Sequence, residues 1–284
     1  MVIFMLVYIE NKEILAQVLS YLDLADIKYT TNVKENYRLV LITDINNKIL
    51  KIIKNKKVIL LTDYIEDKIL NNKLSVPIEN NFKVITSLPI LKNKSNIFYI
   101  PKIIPKINLK KNKLILTDYN LSKTKKKIIV FDKNIKYLDE LEKLVDEYSD
   151  YEFIYIGYRN LKKQERIKID NLNIIWIKFI NLVRYNDLCN FSNIVIIFDS
   201  DIKMDYIYIS ILTHTEIFMV EDNIYNNYFV PSKQYYSFSN LDNLKIKLNK
   251  FLISRISSLN DNAYFLIEKN TENNYLQTLK KIIK

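Results

Sequence analysis

Glycine is almost missing from this chain: there is one, Gly157, in 284 residues. Turns that need a positive φ must then fall to Asn or Asp, and a glycine-rich loop cradling phosphate cannot be built. Walker-type and dinucleotide-type fingerprints are therefore excluded. The single cysteine, Cys189, cannot form an internal disulfide, so a reducing compartment fits. It lies among Leu182, Tyr185 and Leu188, whose periodic spacing makes it a core residue. The single histidine, His214, makes no metal site alone, because such a site needs several ligands. The apolar run at residues 2–9 is too short to span a membrane and lacks the basic stretch and small-residue cleavage site of a signal peptide. The expected location is the cytoplasm.

What is abundant is isoleucine, lysine, asparagine and tyrosine, the usage of an AT-rich coding sequence. Lys and Arg number 43 against 32 Asp and Glu, a net charge of +11. That excess suits a polyanionic partner: nucleic acid, an anionic membrane face or a phosphate-bearing substrate. Twenty-one tyrosines beside so much positive charge would also suit base stacking on single-stranded nucleic acid. Yet Tyr206, Tyr208, Tyr235 and Tyr236 fall inside amphipathic segments, where packing accounts for them. Nucleic acid is not an expected partner.

Apolar runs of strand length alternate with helical stripes from the start. Residues 2–9, 38–43, 58–62, 84–86 and 97–100 read as strands, several of them apolar throughout, as strands buried on both faces are, with a short segment at 27–31 between the first two. Asn11 caps a helix carrying Ile14, Leu15, Val18, Leu19 and Leu22 on one face, and residues 46–57 form a short basic helix with Ile49, Ile52 and Ile53. Residues 101–113, with Pro101, Pro105, Lys110, Lys111 and Lys113, lack periodicity and read as a connector. The run SKTKKK at 122–127 is a solvated approach to a strand that could also meet anionic lipid.

The alternation then restarts. Strands are expected at 128–131, 152–156 (ending at Gly157), 173–177, 194–198 and 217–220. Helices are expected at 137–148, 186–190, 204–212, 241–256 and 273–283. Strand alternating with helix means parallel sheets covered by helices. The predicted fold class is α/β, with two Rossmann-like domains facing a cleft, residues 1–104 and 105–284. In such sheets ligands bind at the carboxyl edge, which directs attention to Asp199, Ser200 and Asp201 after the strand 194–198.

From about residue 113 onward the order of elements resembles the nucleotide-sugar-binding half of the GT-B glycosyltransferases, particularly the retaining enzymes of family four. KKKIIVFDKNIKYLDELEKLVDEY is similar to that family's strand, turn with a basic residue, and helix. YEFIYIGYRN is similar to its next strand ending in glycine, and NLNIIWIKFINLVRYNDLCNFSNIVIIFDSD resembles the segment leading into its catalytic loop. In the N-terminal half, VITSLPILKN followed by IFYIPKIIP resembles the family's serine-containing strand and linker.

The resemblance implies a sugar transferred from a nucleotide-diphosphate donor to an acceptor hydroxyl with retention of configuration, the nucleotide sugar being the substrate and no metal or other cofactor being required. Lys133 and Lys136 match the positions that neutralise the donor diphosphate, with Tyr137 where glycine is usual. The family's two loop glutamates, eight positions apart, fall here at Asp201 and Ile209, and its glycines at Met204 and His214. Asp199 and Asp201 are candidates for the chemistry, by binding a sugar hydroxyl or positioning a base, although aspartates also cap helices. Glu221, with Asp222, stands where a ribose hydroxyl could be accepted. Asp44, Asp63 and Ser87 end strands on the acceptor side. An acceptor at an anionic membrane would place the protein peripherally on the inner face. The alternative reading, motivated by Ile209 and the lack of glycine, is an inactive GT-B-like subunit that stabilises or positions a partner glycosyltransferase.

Overall fold

The computed structural model describes residues 5–35, 37–53, 56–62, 82–87, 96–100, 107–200, 202–222, 225–226, 229, 231, 233–254, 259–267 and 272–283. The chain divides into two compact units, Met1–Ile103 with Asn270–Lys284, and Ile104–Lys269.

Unit 1 opens with β1 (Met5–Tyr8) and α1 (Lys12–Leu24). Asn11 caps α1 as expected, its Oδ1 accepting from the amides of Glu13 at 2.9 Å and Ile14 at 3.1 Å. There follow β2 (Tyr29–Thr30), β3 (Leu39–Ile42), α2 (Asn47–Ile53), β4 (Lys57–Leu61), β5 (Phe82–Thr86) and β6 (Ile97–Tyr99). The strands form one parallel sheet in the order β2-β1-β3-β4-β5-β6. Because side chains alternate along a strand, each apolar run feeds two cores. Leu6, Val40, Ile42, Val58 and Leu60 point to one face with Ile49 and Ile53 of α2. Met5, Val7, Leu41, Ile59 and Leu61 point to the other with Val18 and Leu22 of α1.

Unit 2 contains α3 (Leu114–Asp118), β7 (Lys126–Phe131), α4 (Leu138–Glu147), β8 (Tyr151–Ile156), α5 (Lys163–Asn171) and β9 (Ile175–Ile177). It continues with α6 (Leu182–Cys189), β10 (Ile194–Ile197), α7 (Met204–Leu212), β11 (Glu216–Val220), β12 (Tyr236–Phe238), α8 (Leu241–Ser254) and α9 (Asn260–Ile267). Its sheet is again parallel, in the order β12-β11-β10-β7-β8-β9. Counted within the unit this is the doubly wound dinucleotide-domain order, in which strands are added outward on one side from β7 and then on the other from β10. Every residue of α7 is buried, so it is a helix of the core. Hydroxyls in this core are tied down: Tyr206 donates to the Ile180 carbonyl at 2.8 Å, and Tyr185 and Ser210 share a bond of 2.6 Å. Cys189 is buried too, and burial raises its thiol pKa to about 12, leaving an inert packing residue.

Two features add to the sequence reading. The stretch read as a connector is, over its described residues, clasped to α6: Asn108 N donates to Asn186 Oδ1 at 3.0 Å, Asn190 Nδ2 to the Asn108 carbonyl at 2.7 Å, and Asn112 Nδ2 to Asp187 Oδ2 at 2.8 Å. Pro101 and Pro105 lie outside the described residues. The last helix, α10 (Glu272–Ile283), packs in unit 1, not with the residues that precede it. Tyr275 and Leu279 enter the core face shared by α1, and Lys83 Nζ donates to the Ile282 carbonyl at 3.1 Å.

Candidate functional site

In an open parallel sheet the crevice lies outside the carboxyl ends of the strands, where the order reverses. In unit 2 that point is the end of β7 and β10, paired in register through Phe131 and Ile197. The residues leaving these ends are Asp132 and Lys133 on one side and Phe198 and Asp199 on the other. They are joined: both carboxylate oxygens of Asp199 lie 3.1 Å from the Lys133 amide, which donates to them. Asp199 is 8% exposed, so its charge is satisfied inside the protein by hydrogen bonds. Tyr137 stacks on Phe198 with centroids 4.4 Å apart and planes at 15°.

The turn from Asp132 to Tyr137 carries both candidate lysines into α4. Asp132 is 2% exposed, and its Oδ2 accepts from the Tyr137 amide at 2.8 Å and the Tyr155 hydroxyl at 2.5 Å. Burial first, and the Asp132 carboxylate second, push the Tyr155 hydroxyl well above its ordinary pKa, so it stays a proton donor. Ile135 has φ 55, a left-handed conformation that a β-branched residue adopts at a cost of about 1–2 kcal/mol. Positive φ here was expected only at Asn or Asp. Asp26, Asn120 and Asn173 obey that, while Ile135 and His214 do not. His214 has φ 56, the conformation a glycine would take. Gly157 needs no such freedom. A Cβ there would sit 2.4 Å from Cη2 of Trp176 and 3.2 Å from the Asp132 carbonyl oxygen, so glycine lets the end of β8 close over the turn.

Lys133 is half-buried and Lys136 exposed at the amino end of α4. Asp139 and Glu142 of the same helix are drawn to Lys168 of α5, at 2.9 Å and 2.7 Å. Glu221 is exposed at the carboxyl end of β11, beside β10 on the same edge, with Asp222 next to it. Asp201 and Asp63 lie outside the described residues. Ile209 is 2% exposed in the middle of α7, with no polar atom to offer a ligand. In unit 1, Asp44 Oδ1 accepts from the Ile45 amide at 2.8 Å and Ser87 is buried. The lysine run at 122–127 extends into β7 and is only partly solvated: Lys127 is 2% exposed and donates to the carbonyls of Ser122 at 2.6 Å and Lys125 at 2.8 Å.

Sequence reading missed Asp132, Arg159 and Phe179, because each matters only once neighbouring strands are known. Phe179, 63% exposed beyond β9, meets Tyr158 edge to face at 6.1 Å. Arg159 grips Glu165, with Nη1 to Oε2 at 2.8 Å and Nη2 to Oε1 at 2.5 Å. The hydrogen bond from that guanidinium holds the Glu165 carboxyl down at a pKa of about 2. Among the described residues no three of His, Cys, Asp and Glu stand together to hold a metal ion, and no helix is long and apolar enough to cross a membrane.

No protein-family model matches this chain, and no curated protein matches it either. Solved structures do match. A glycosyltransferase from Rickettsia africae is similar over 99% of this chain and 98% of its own, at 13% identity and a TM-score of 0.63. An Anabaena protein, HepE, in complex with UDP and glucose is similar over 93% and 88%, at 11% identity and 0.62. A sucrose-phosphate synthase from Thermosynechococcus elongatus is similar over 95% of this chain and 76% of its own, at 10% identity and 0.57. The fold is of the GT-B type. At these identities the likeness extends to the GT-B architecture and stops there. The site must be argued from its own residues.

Proposed function

We propose that this GT-B chain binds a nucleotide-diphosphate sugar at the β7/β10 switch point of unit 2 and transfers the sugar to an acceptor hydroxyl. The observation that carries this reading is the turn from Asp132 to Tyr137, which delivers Lys133 and Lys136 to the amino end of α4 at that point. Helix amides and two ammonium groups can neutralise a diphosphate without a glycine loop. As the glycosidic bond breaks, negative charge grows on the leaving diphosphate, and groups already aimed at it lower the barrier. Retention of configuration, as in the family-four enzymes, belongs to this proposal. A neighbour of the same fold in complex with UDP and glucose supports the choice of ligand.

Phe179 and Tyr158 stand at the ends of β9 and β8, two strands and one strand from β7. Two strand spacings are about 10 Å, a span that a uridine bridges when its base lies on Phe179 and its phosphates on the lysine turn. Asp199 frames the turn through the Lys133 amide; Asp201 and Glu221 are assigned to sugar and ribose hydroxyls respectively.

Calorimetric titration with UDP tests the reading. The wild type should release heat on binding, and Lys133→Ala and Lys136→Ala should each weaken affinity about tenfold or more, the scale of a lost charge-assisted contact. Phe179→Ala should weaken UDP but not inorganic pyrophosphate. Absence of heat with both UDP and GDP sinks it. A second reading, an inactive subunit that positions a partner transferase, is favoured by Ile209, buried where the family's second glutamate would stand. It requires UDP binding, if any, without donor hydrolysis or transfer, and any turnover excludes it.

A further inference from the structure

The turn between β7 and α4 has a shape its own residues do not favour. It lacks glycine, and its third-last residue before α4, Ile135, sits at φ 55. Two bonds are internal to it: the Ile135 amide donates to the Asp132 carbonyl at 3.2 Å, and the Tyr137 amide to Asp132 Oδ2 at 2.8 Å. Further restraint arrives from neighbouring strands. Asp199, beyond β10, accepts from the Lys133 amide. From beyond β8, the Tyr158 amide donates to the Lys133 carbonyl at 3.2 Å, and Arg159 Nε donates to the Asn134 carbonyl at 3.0 Å.

Arg159 is itself fixed. Its Nη1 donates to the Asn160 carbonyl at 2.9 Å and to Glu165 Oε2 at 2.8 Å, while Nη2 donates to Glu165 Oε1 at 2.5 Å. Glu165 is fixed in turn by the Lys162 amide, which donates to its Oε2 at 2.7 Å where α5 begins. A line of hydrogen bonds therefore runs from the start of α5 through Glu165 and Arg159 to the middle of the turn. An ion pair whose partners keep 33% and 18% of their side-chain surface in water contributes little by attraction alone. Its geometry is what matters: the fork on Glu165 immobilises the guanidinium so that Nε faces Asn134.

We propose that Arg159, locked by Glu165, is a positioning residue that holds the Asn134 carbonyl and so keeps the glycine-free turn in the shape that presents Lys133 and Lys136 to a diphosphate. This rests on the donor-site reading above. It assigns Arg159 a role distinct from that of a phosphate ligand, since its guanidinium is committed to Asn134, Asn160 and Glu165. Lysine cannot take over the task. An ammonium group has neither the bidentate face for Glu165 nor a second nitrogen along the stem to reach Asn134.

The test uses the full chain with Arg159→Lys, Arg159→Ala and Glu165→Gln, and two readouts. The first is amide hydrogen exchange without ligand. The Lys133–Tyr137 turn should exchange about three- to tenfold faster in both Arg159 variants, the effect of one lost hydrogen bond, and less so in Glu165→Gln. The strands 126–131 and 151–156 should keep their wild-type exchange. The second is UDP titration, in which Arg159→Lys and Arg159→Ala should lose affinity by a similar factor. Unchanged exchange of the turn in Arg159→Ala overturns the proposal. So does full affinity in Arg159→Lys beside a large loss in Arg159→Ala, because that pattern marks a direct charge contact. If wild type does not bind UDP, the donor-site reading fails by itself, while the exchange data still decide whether Arg159 shapes the turn.

Discussion

Among the described residues at positive φ, Ile135 and His214 are the two that are neither Asn nor Asp, and they take that conformation on opposite terms. Ile135 is 6% exposed and packs in the core between the sheet and α4. Glycine there would relieve about 1–2 kcal/mol of left-handed strain but remove a buried isoleucine whose truncation costs about 2–5 kcal/mol. Burial wins, so Ile135→Gly should destabilise unit 2 by about 1–3 kcal/mol in denaturant titration. His214 presents an exposed ring, stacked at 6.2 Å on Tyr264 and 3.9 Å from Asp261. Contacts of that kind are worth at most about 1 kcal/mol. His214→Asn, which tolerates the left-handed region, should therefore leave stability equal or raised by up to about 1 kcal/mol, and a clear loss would show that the ring contacts dominate. For His214 the sequence held one hint, the glycine of the resembling family at that position, against a reading that expected positive φ only at Asn or Asp. The conformation of Ile135 was not legible, because nothing in FDKNIKYL marks which residue of the turn must bend.

At the level of elements, strands were legible wherever isoleucine and valine run together, since a strand buried on both faces needs no alternation. Helix α5 was not expected, for a physical reason: in KQERIKIDN only Ile169 is buried, and the start of the helix is marked by Glu165 bonding back to the Lys162 amide, without a serine or aspartate cap. The pairs that build the candidate site were equally hidden. Asp199 and Lys133 stand 66 residues apart, and Arg159 and Asn134 25 apart, so only the strand order β10-β7-β8 brings them together. For α10 the sequence gives the apolar stripe but not its destination. The structure gives the destination as the sheet face of unit 1, so Leu279→Ala should cost about 2–5 kcal/mol of unit 1 stability and leave unit 2 untouched. Exchange protection of β1 and β3 against β7 and β10 separates the two, and equal loss in both would contradict it.

At the level of the whole molecule, unit 2 is contiguous and unit 1 is not. A fragment of residues 104–269 should fold alone with a cooperative transition. A fragment of residues 1–103 should gain native circular dichroism and exchange protection only when the peptide 270–284 is added or fused to it. A stable 1–103 fragment would show that Tyr275 and Leu279 are dispensable to that core.

The return of α10 also sets a timetable. During synthesis every residue of unit 2 is made before the helix that completes unit 1, so the half encoded second is the first able to reach its final core. Until α10 is made, the Met5, Val7, Leu41 and Ile59 face of the first sheet waits partly uncovered, a period in which a chaperone could engage it.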